Sequence, residues 1–133
     1  MNNPVISIIM PTYNVSRYIE RSIYSCLGQH FKSYEIIVVD DCGSDNSIEI
    51  AEAIAEEDSR LRIVRHTQNL GTYHARKTGV MEAKGEFILF LDPDDMLEVG
   101  ALSSLYKVLS SYPSLDVLLF DSKASTYGLL SCT

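Results

Sequence analysis

Three cysteines, Cys26, Cys42 and Cys132, are too few and odd in number for a disulfide framework, and no two of them form a Cys-x-x-Cys pair. With little histidine nearby they do not read as a zinc site, and the expected setting is a reducing cytoplasm. Basic residues are scarce as well. Eleven Lys plus Arg stand against eighteen Asp plus Glu, a net charge of −7. That balance argues against nucleic acid or an anionic membrane as the main partner, because both need a basic surface. An acidic chain that binds a polyanion would need a metal ion to mediate. No segment approaches the roughly 20 apolar residues of a membrane span. The residues after Met1 also lack the basic and then apolar regions of a secretory leader. The expected location is cytoplasmic, with a peripheral contact at the inner face of the membrane also compatible.

The 133 residues suffice for one sizeable core. Val5 to Met10 is an apolar, β-branched run that stops at Pro11 and reads as a buried strand. Ile19, Ile23, Cys26 and Leu27 then recur on one helical stripe that Ser16 can cap and that ends near Gly28. Glu35 to Asp40 is a second continuous apolar run, of the kind found in strands covered on both faces. A helix follows with Ile48, Ala51, Ile54 and Ala55 on one side. Further along, Leu61 to Arg65, Glu86 to Leu91 and Asp116 to Phe120 read as strands. Thr72 to Ala83 and Val99 to Tyr112 read as helices. The alternation predicts an α/β fold, a mostly parallel sheet flanked by helices in an α/β/α sandwich. Residues 1–120 form the expected domain, and 121–133 a weakly ordered tail.

In such sheets ligands sit beyond the carboxyl ends of the strands. Three ends carry candidates: Pro11-Thr-Tyr-Asn14, Asp40-Asp41 and Asp92-Pro-Asp-Asp95. The last places three carboxylates within four residues, and their mutual repulsion is relieved by a hard cation such as Mg²⁺ or Mn²⁺. The plainer alternative is a solvated turn leading into the next helix. Asp40 or Asp41 could accept hydrogen bonds from a nucleobase or ribose, or could merely cap the turn after them. Tyr13 could stack on a base or lie as an aromatic lid over the sheet edge. Arg76 could pair with the acidic loop or with a diphosphate, or be a surface residue. His30, His66 and His74 share no metal-ligand spacing and read as structural or surface residues.

Taken together, the motifs resemble the GT-A fold family of inverting glycosyltransferases numbered family 2, across residues 4 to 120. The segments that carry the resemblance are Ile-Ile-Met-Pro-Thr-Tyr-Asn14, Ser-Cys-Leu-Gly-Gln29, Glu-Ile-Ile-Val-Val-Asp-Asp41 with Gly43-Ser44-Asp45, and Asn69-Leu-Gly71. Ala75-Arg76 with Gly79, Ala83-Lys-Gly-Glu86 and Phe-Leu-Asp-Pro-Asp-Asp95 complete the set. The resemblance implies a Rossmann-like nucleotide-diphospho-sugar transferase fold. It also implies a nucleoside-diphosphate sugar donor, a UDP-hexose above all. Donor contacts then fall to Pro11, Thr12, Tyr13, Asp40, Asp41, Arg76, Asp92 and Asp94. The base lies between the Tyr13 loop and Asp41, and Asp92 approaches the ribose or Arg76. Asp94 and Asp95 hold Mn²⁺ or Mg²⁺. The implied acceptor is a glycan or lipid-linked hydroxyl in the synthesis of bacterial surface polysaccharide or lipopolysaccharide.

The family's general base is an Asp or Glu that follows the acidic loop, and no residue here matches it, so no catalytic residue is assigned. On that reading the chain is a truncated catalytic domain, and a non-catalytic UDP- and metal-binding module or inactive truncated product is the alternative. Exposed apolar surface on such a fragment implies a homodimer. Two departures are small: Cys42 stands where the family commonly has Gly, and Lys77 where Asn is usual. A sugar-nucleotide-forming nucleotidyltransferase would need a Gly-rich, basic phosphate loop after the first strand, which Pro11-Thr-Tyr-Asn-Val-Ser16 is not. A receiver domain would need an acceptor Asp after the third strand, where His66 stands.

Overall fold

The computed structural model describes residues 3–120. The apolar runs become strands β1 (Ile6–Thr12), β2 (Tyr34–Asp40), β3 (Leu61–Arg65) and β4 (Phe87–Phe90). The amphipathic segments become helices α1 (Ile19–Leu27), α2 (Ser47–Glu57), α3 (Thr72–Glu82) and α4 (Ala101–Ser111). The four strands form one parallel sheet in the order β3-β2-β1-β4.

Successive side chains of a strand point to opposite faces, and two cores result. On one face Ile8, Met10, Ile36 and Val38 pack with Ile19, Ile23 and Cys26 of α1, Ala51 and Ile54 of α2, and Leu102 of α4. The other face is thinner: Ile9, Ile37 and Val39 meet Ala75 of α3, with Val64 and Ala83 at the margin. Helices therefore lie on both faces, which is why β1 and β2 are apolar without alternation.

The thin face depends on small residues in α3. Ala75 is fully buried, and a Cβ added to Gly79 would lie 2.2 Å from Ile9 Cγ2. The helix backbone thus rides directly on β1, with Arg76 held one residue beyond the contact.

Several expectations are corrected. Asp116 to Phe120 is not a strand: residues 115–120 have no regular structure, and Val117 and Leu119 are 70% and 75% exposed. An apolar run becomes a strand only when a neighbour takes up its N–H and C=O groups, and no described backbone does so. Ser16 does not cap α1. That helix begins at Ile19 after Tyr18, with no side-chain cap, and the Ser16 N–H instead donates to Asp45 Oδ2 at 3.0 Å. The expected tail, 121–133, lies outside the described residues.

The close approach of α3 is testable by Gly79→Ala. Helix propensity favours Ala by up to about 1 kcal/mol, but overpacking costs typically about 1–3 kcal/mol. We expect a net loss of about 1–2 kcal/mol in urea denaturation, as the difference of those two effects. An unchanged or higher midpoint would place α3 further from the sheet than described.

Candidate functional site

The chain runs from β1 to β2 and β3 on one side, then returns to place β4 on the other side of β1. A crevice opens at such a reversal, beyond the carboxyl ends of the strands. The candidate residues gather at this edge. Thr12, the last residue of β1, pairs with Asp40, the last of β2. Phe90, the last of β4, pairs with Ile9, and the Leu91 N–H continues onto the Ile9 carbonyl at 3.0 Å. The acidic loop follows directly.

Asp92, Asp94 and Asp95 are all exposed, and one oxygen from each lies within 4.8 Å of the others. Partial desolvation first, then the charges of Asp94 and Asp92, push the Asp95 carboxyl above its usual range. Negative charge is therefore incompletely compensated, and hard carboxylate oxygens are the donor set that Mg²⁺ or Mn²⁺ takes. The residues fit such an ion. Arg76 reaches the loop from α3, its Nη2 3.2 Å from Asp92 Oδ1. Its guanidinium carbon lies 5.7 Å from the centre of the Phe90 ring, and its buried Nε has no partner among the described residues. Both members of the Arg76–Asp92 pair are about half exposed, so the pair contributes little stability and leaves guanidinium donors for a ligand.

Across the crevice Tyr13 is 52% exposed. Pro11 and Thr12 are buried in β1, and the Thr12 hydroxyl donates to the Met10 carbonyl at 2.9 Å. Asp40 and Asp41 differ sharply. Asp40 is partly exposed and its Oδ1 accepts the Cys42 N–H at 2.9 Å. Asp41 is buried, 3% exposed, and its carboxylate accepts the Leu70 N–H, the Gly71 N–H and His66 Nδ1, each at 2.9 Å. Burial opposes its charge, but the Leu70 N–H, the His66 ring and the Gly71 N–H outweigh that and hold the Asp41 carboxyl below its usual range. An ionised carboxylate only accepts, so His66 Nδ1 carries hydrogen. The other ring nitrogen of His66 lies 2.7 Å from the Thr78 hydroxyl of α3.

A second network ties the turn after β2 to the turn after β1. Asn14 Oδ1 accepts the Ser44 and Asp45 N–H groups at 2.8 and 3.1 Å. Asp45 accepts from Ser16 and Ser47. Those bonds, the Ser47 hydroxyl foremost, override partial desolvation and lower its carboxyl to about 2. A Cβ on Gly43 would lie 2.7 Å from Asn14 Oδ1, so that turn admits only glycine without adjustment. Cys42 holds a left-handed φ of +60°, a conformation glycine adopts freely and other residues pay for.

His66 is structural, one of the two readings expected for it, but its partners and the roles of Asn14 and Asp45 in this frame were not legible in the sequence. Asn14 ends the segment Ile-Ile-Met-Pro-Thr-Tyr-Asn14 and Asp45 the segment Gly43-Ser44-Asp45, and Asp-x-Ser47 before a helix is a local signal of turn bonding. Nothing local connects His66 to Asp41, 25 residues away.

Residues 7–123 match the family described as glycosyl transferase family 2. This chain belongs to that family. It is 43% identical over 97 residues to an uncharacterized glycosyltransferase of Haemophilus influenzae, covering 73% of this chain and 39% of the relative. It is 38% identical over 103 residues to the GalNAc(5)-diNAcBac-PP-undecaprenol beta-1,3-glucosyltransferase of Campylobacter jejuni, covering 77% and 33%. Among solved structures, S. aureus TarS 1–349 in complex with UDP-GlcNAc superposes with a TM-score of 0.87 at 31% identity, covering 93% of this chain and 36% of TarS. The mannosyltransferase PcManGT of Pyrobaculum calidifontis, in complex with GDP-Man and Mn²⁺, superposes with a TM-score of 0.75 at 27% identity, covering 83% and 33%. The parallel sheet with flanking helices is the GT-A, Rossmann-like fold of the TarS neighbours. The chain spans less than two fifths of the length of the relatives it matches.

The buried Asp41 network makes stability depend on acid. Its folded pKa is depressed, so its contribution is complete above the ordinary Asp range near 4 and is lost as pH falls through the lower folded value. Asp41→Asn replaces acceptors with an N–H pair facing donors, and we expect about 2–4 kcal/mol less stability at pH 7. Urea denaturation at successive pH values should also show a shallower acid limb below about pH 4 in the variant. Parallel curves for the two proteins would contradict this account.

Proposed function

We propose that the protein is the nucleotide-sugar-binding portion of an inverting glycosyltransferase. The donor is a UDP-hexose, and the acceptor a glycan or lipid-linked hydroxyl in bacterial surface polysaccharide or lipopolysaccharide synthesis. The observation that carries this reading is the convergence at one sheet edge of three clustered carboxylates and Arg76 on one side, with exposed Tyr13 and partly exposed Asp40 on the other. Support for the donor comes from TarS, solved with UDP-GlcNAc, and for the metal from PcManGT, solved with GDP-Man and Mn²⁺. Support for a lipid-linked acceptor comes from the undecaprenol named in the Campylobacter relative.

In this reading Tyr13 stacks on the base, and Asp40 hydrogen-bonds base or ribose through the oxygen that the Cys42 N–H leaves open. Asp41 acts from inside the wall, since its oxygens already hold the 69–71 turn and His66. Pro11 and Thr12 form the floor behind Tyr13. Arg76 and Asp92 face the ribose and diphosphate, and Asp94 with Asp95 would hold Mn²⁺ or Mg²⁺. When bound, the cation supplies charge that offsets the growing negative charge of the departing diphosphate. The acceptor oxygen bonds to the anomeric carbon as the bond from that carbon to the diphosphate oxygen breaks, and the hydroxyl proton passes to a general base. One in-line displacement of this kind inverts the centre. No residue described here is assigned as that base.

The proposed setting is cytoplasmic, peripheral at the inner face of the membrane. No helix among the described residues is long and apolar enough to cross one. Exposed Tyr73, Val80, Met81 and Phe90 around α3 and β4 support self-association as a homodimer.

Thermal melts and calorimetry with UDP test the reading. At a UDP concentration of 100 times the dissociation constant that holds with Mn²⁺ or Mg²⁺ present, linkage gives about 2.7 kcal/mol of stabilisation, and with affinity tenfold or more weaker in excess chelator we expect about 1.4 kcal/mol or less there. Equal stabilisation in excess chelator would sink the metal-bridged site. Asp94→Asn should weaken metal-dependent UDP binding tenfold or more, equivalent to about 1.4 kcal/mol. If Asp95→Asn weakens it and Asp94→Asn does not, the principal ligand is Asp95.

A further inference from the structure

We infer that Gln29 and Ser25, at the end of α1, are positioning residues for the acidic loop, holding the segment between β4 and α4 so that its carboxylates stay gathered for a cation. The inference rests on the proposal that those carboxylates hold a divalent metal.

The loop has little structure of its own. Between Leu91 and Gly100 its only internal backbone bond is from the Asp95 N–H to the Asp92 carbonyl, at 2.8 Å. Three like charges within 4.8 Å of one another work to open it. Anchors at both ends oppose them. At the front, the Leu91 N–H is tied to Ile9. At the back, two side chains from the end of α1 hold the segment among the described residues, Ser25 within the helix and Gln29 just past it. The Leu97 N–H donates to Ser25 Oγ at 3.0 Å, while that hydroxyl donates to the Ser22 carbonyl at 2.6 Å. The Gln29 amide donates to the Glu98 carbonyl at 2.8 Å and to the Ser25 carbonyl at 3.1 Å. Gln29 Oε1 accepts the Leu102 N–H at 3.1 Å.

Gln29 is 7% exposed and uses both amide hydrogens and its oxygen. Only a carboxamide offers two donors and an acceptor at that reach. Its bond to Leu102 also serves α4, which begins after Gly100 with no side-chain cap of its own. Leu102 is fully buried, and half-buried Leu97 packs against the same core, so the clamp cannot slide along the helix. A rigid helix end is thereby coupled to the carboxylates through a short stretch of loop, Leu97 lying two residues after Asp95 and five after Asp92. Neither Gln29 nor Ser25 is among the residues assigned to the donor. The Ser-Cys-Leu-Gly-Gln29 segment acquires a role through what it holds. Groups that orient metal ligands in this way typically change metal affinity by about 10- to 100-fold when removed.

The test is UDP affinity of the full chain, measured by calorimetry in saturating Mn²⁺ and in excess chelator, for the unaltered protein, Gln29→Met, Ser25→Ala and Ser25→Thr. The unaltered protein should gain tenfold or more in affinity from Mn²⁺, roughly a decade on the affinity scale. Gln29→Met should retain metal-free UDP affinity within about twofold while its Mn²⁺ gain falls below about threefold, as expected for a lost orienting group. Ser25→Ala should lose part of the gain and Ser25→Thr, which keeps the hydroxyl, should restore it. If Gln29→Met and Ser25→Ala lose metal-free and Mn²⁺-dependent affinity by the same factor, or keep the full gain, the positioning role is overturned. If Gln29→Met fails to melt cooperatively, the two Ser25 variants decide on the same criteria. Absence of any Mn²⁺ gain in the unaltered protein overturns the metal reading itself, and is seen before any substitution is compared.

Discussion

The geometry of the crevice depends on one buried charge. Asp41 leaves water at the end of β2, and a carboxylate can do so only if its oxygens find donors. They find three: two backbone N–H groups of the 69–71 turn and the ring of His66. The Asp41 N–H is held by the Thr12 carbonyl, and its own carbonyl accepts from the Asn69 side chain. One residue thus fastens the ends of β1 and β2 to the loop that starts α3. Losing any of the three donors to the carboxylate leaves the buried charge less compensated, which couples them as one network.

From that anchor the position of Arg76 follows. The 69–71 turn launches α3, His66 meets Thr78 nearly two helical turns further on, and Ala75 with Gly79 lets the helix settle onto β1. Arg76 is then carried to the edge where Asp92 emerges from β4. An Arg on a solvated helix would choose among rotamers; here the helix is located to within a van der Waals contact.

The two sides of the crevice are stabilised on opposite principles. On the Tyr13 and Asp40 side, polar groups are matched: Asn14, Asp45 and Ser47 satisfy one another and the turn backbones. On the acidic side, three like charges are left exposed, and Arg76 pairs with Asp92 alone of them among the described residues. Such an arrangement costs stability and persists because neighbouring elements over-determine the loop. A surface built this way holds a pre-shaped deficit of positive charge, which a cation and a cationic side chain complete.

The fold was largely legible because buried parallel strands and amphipathic helices leave opposite marks on a sequence. Val5–Met10 and Glu35–Asp40 could hardly be anything but covered strands, and the stripe from Ile19 to Leu27 could only bury against them. Strand-end logic likewise located Tyr13, Asp40 and the acidic triad, since a parallel sheet places its carboxyl ends along one edge. Where a residue's role depends on a partner far along the chain, the sequence was silent or misleading. Asp40 and Asp41 read alike, yet burial made one an open acceptor and the other an internal post. Ser16 looked like a helix cap but spends its N–H on Asp45. Asp116–Phe120 had a strand's composition without a neighbour to pair with. Composition and period are properties of a segment, so the sequence by itself determined the elements and the edge where they converge. Hydrogen-bond partnership and burial belong to pairs of segments, so only the tertiary structure decided which carboxylates stay exposed there and what holds them in place.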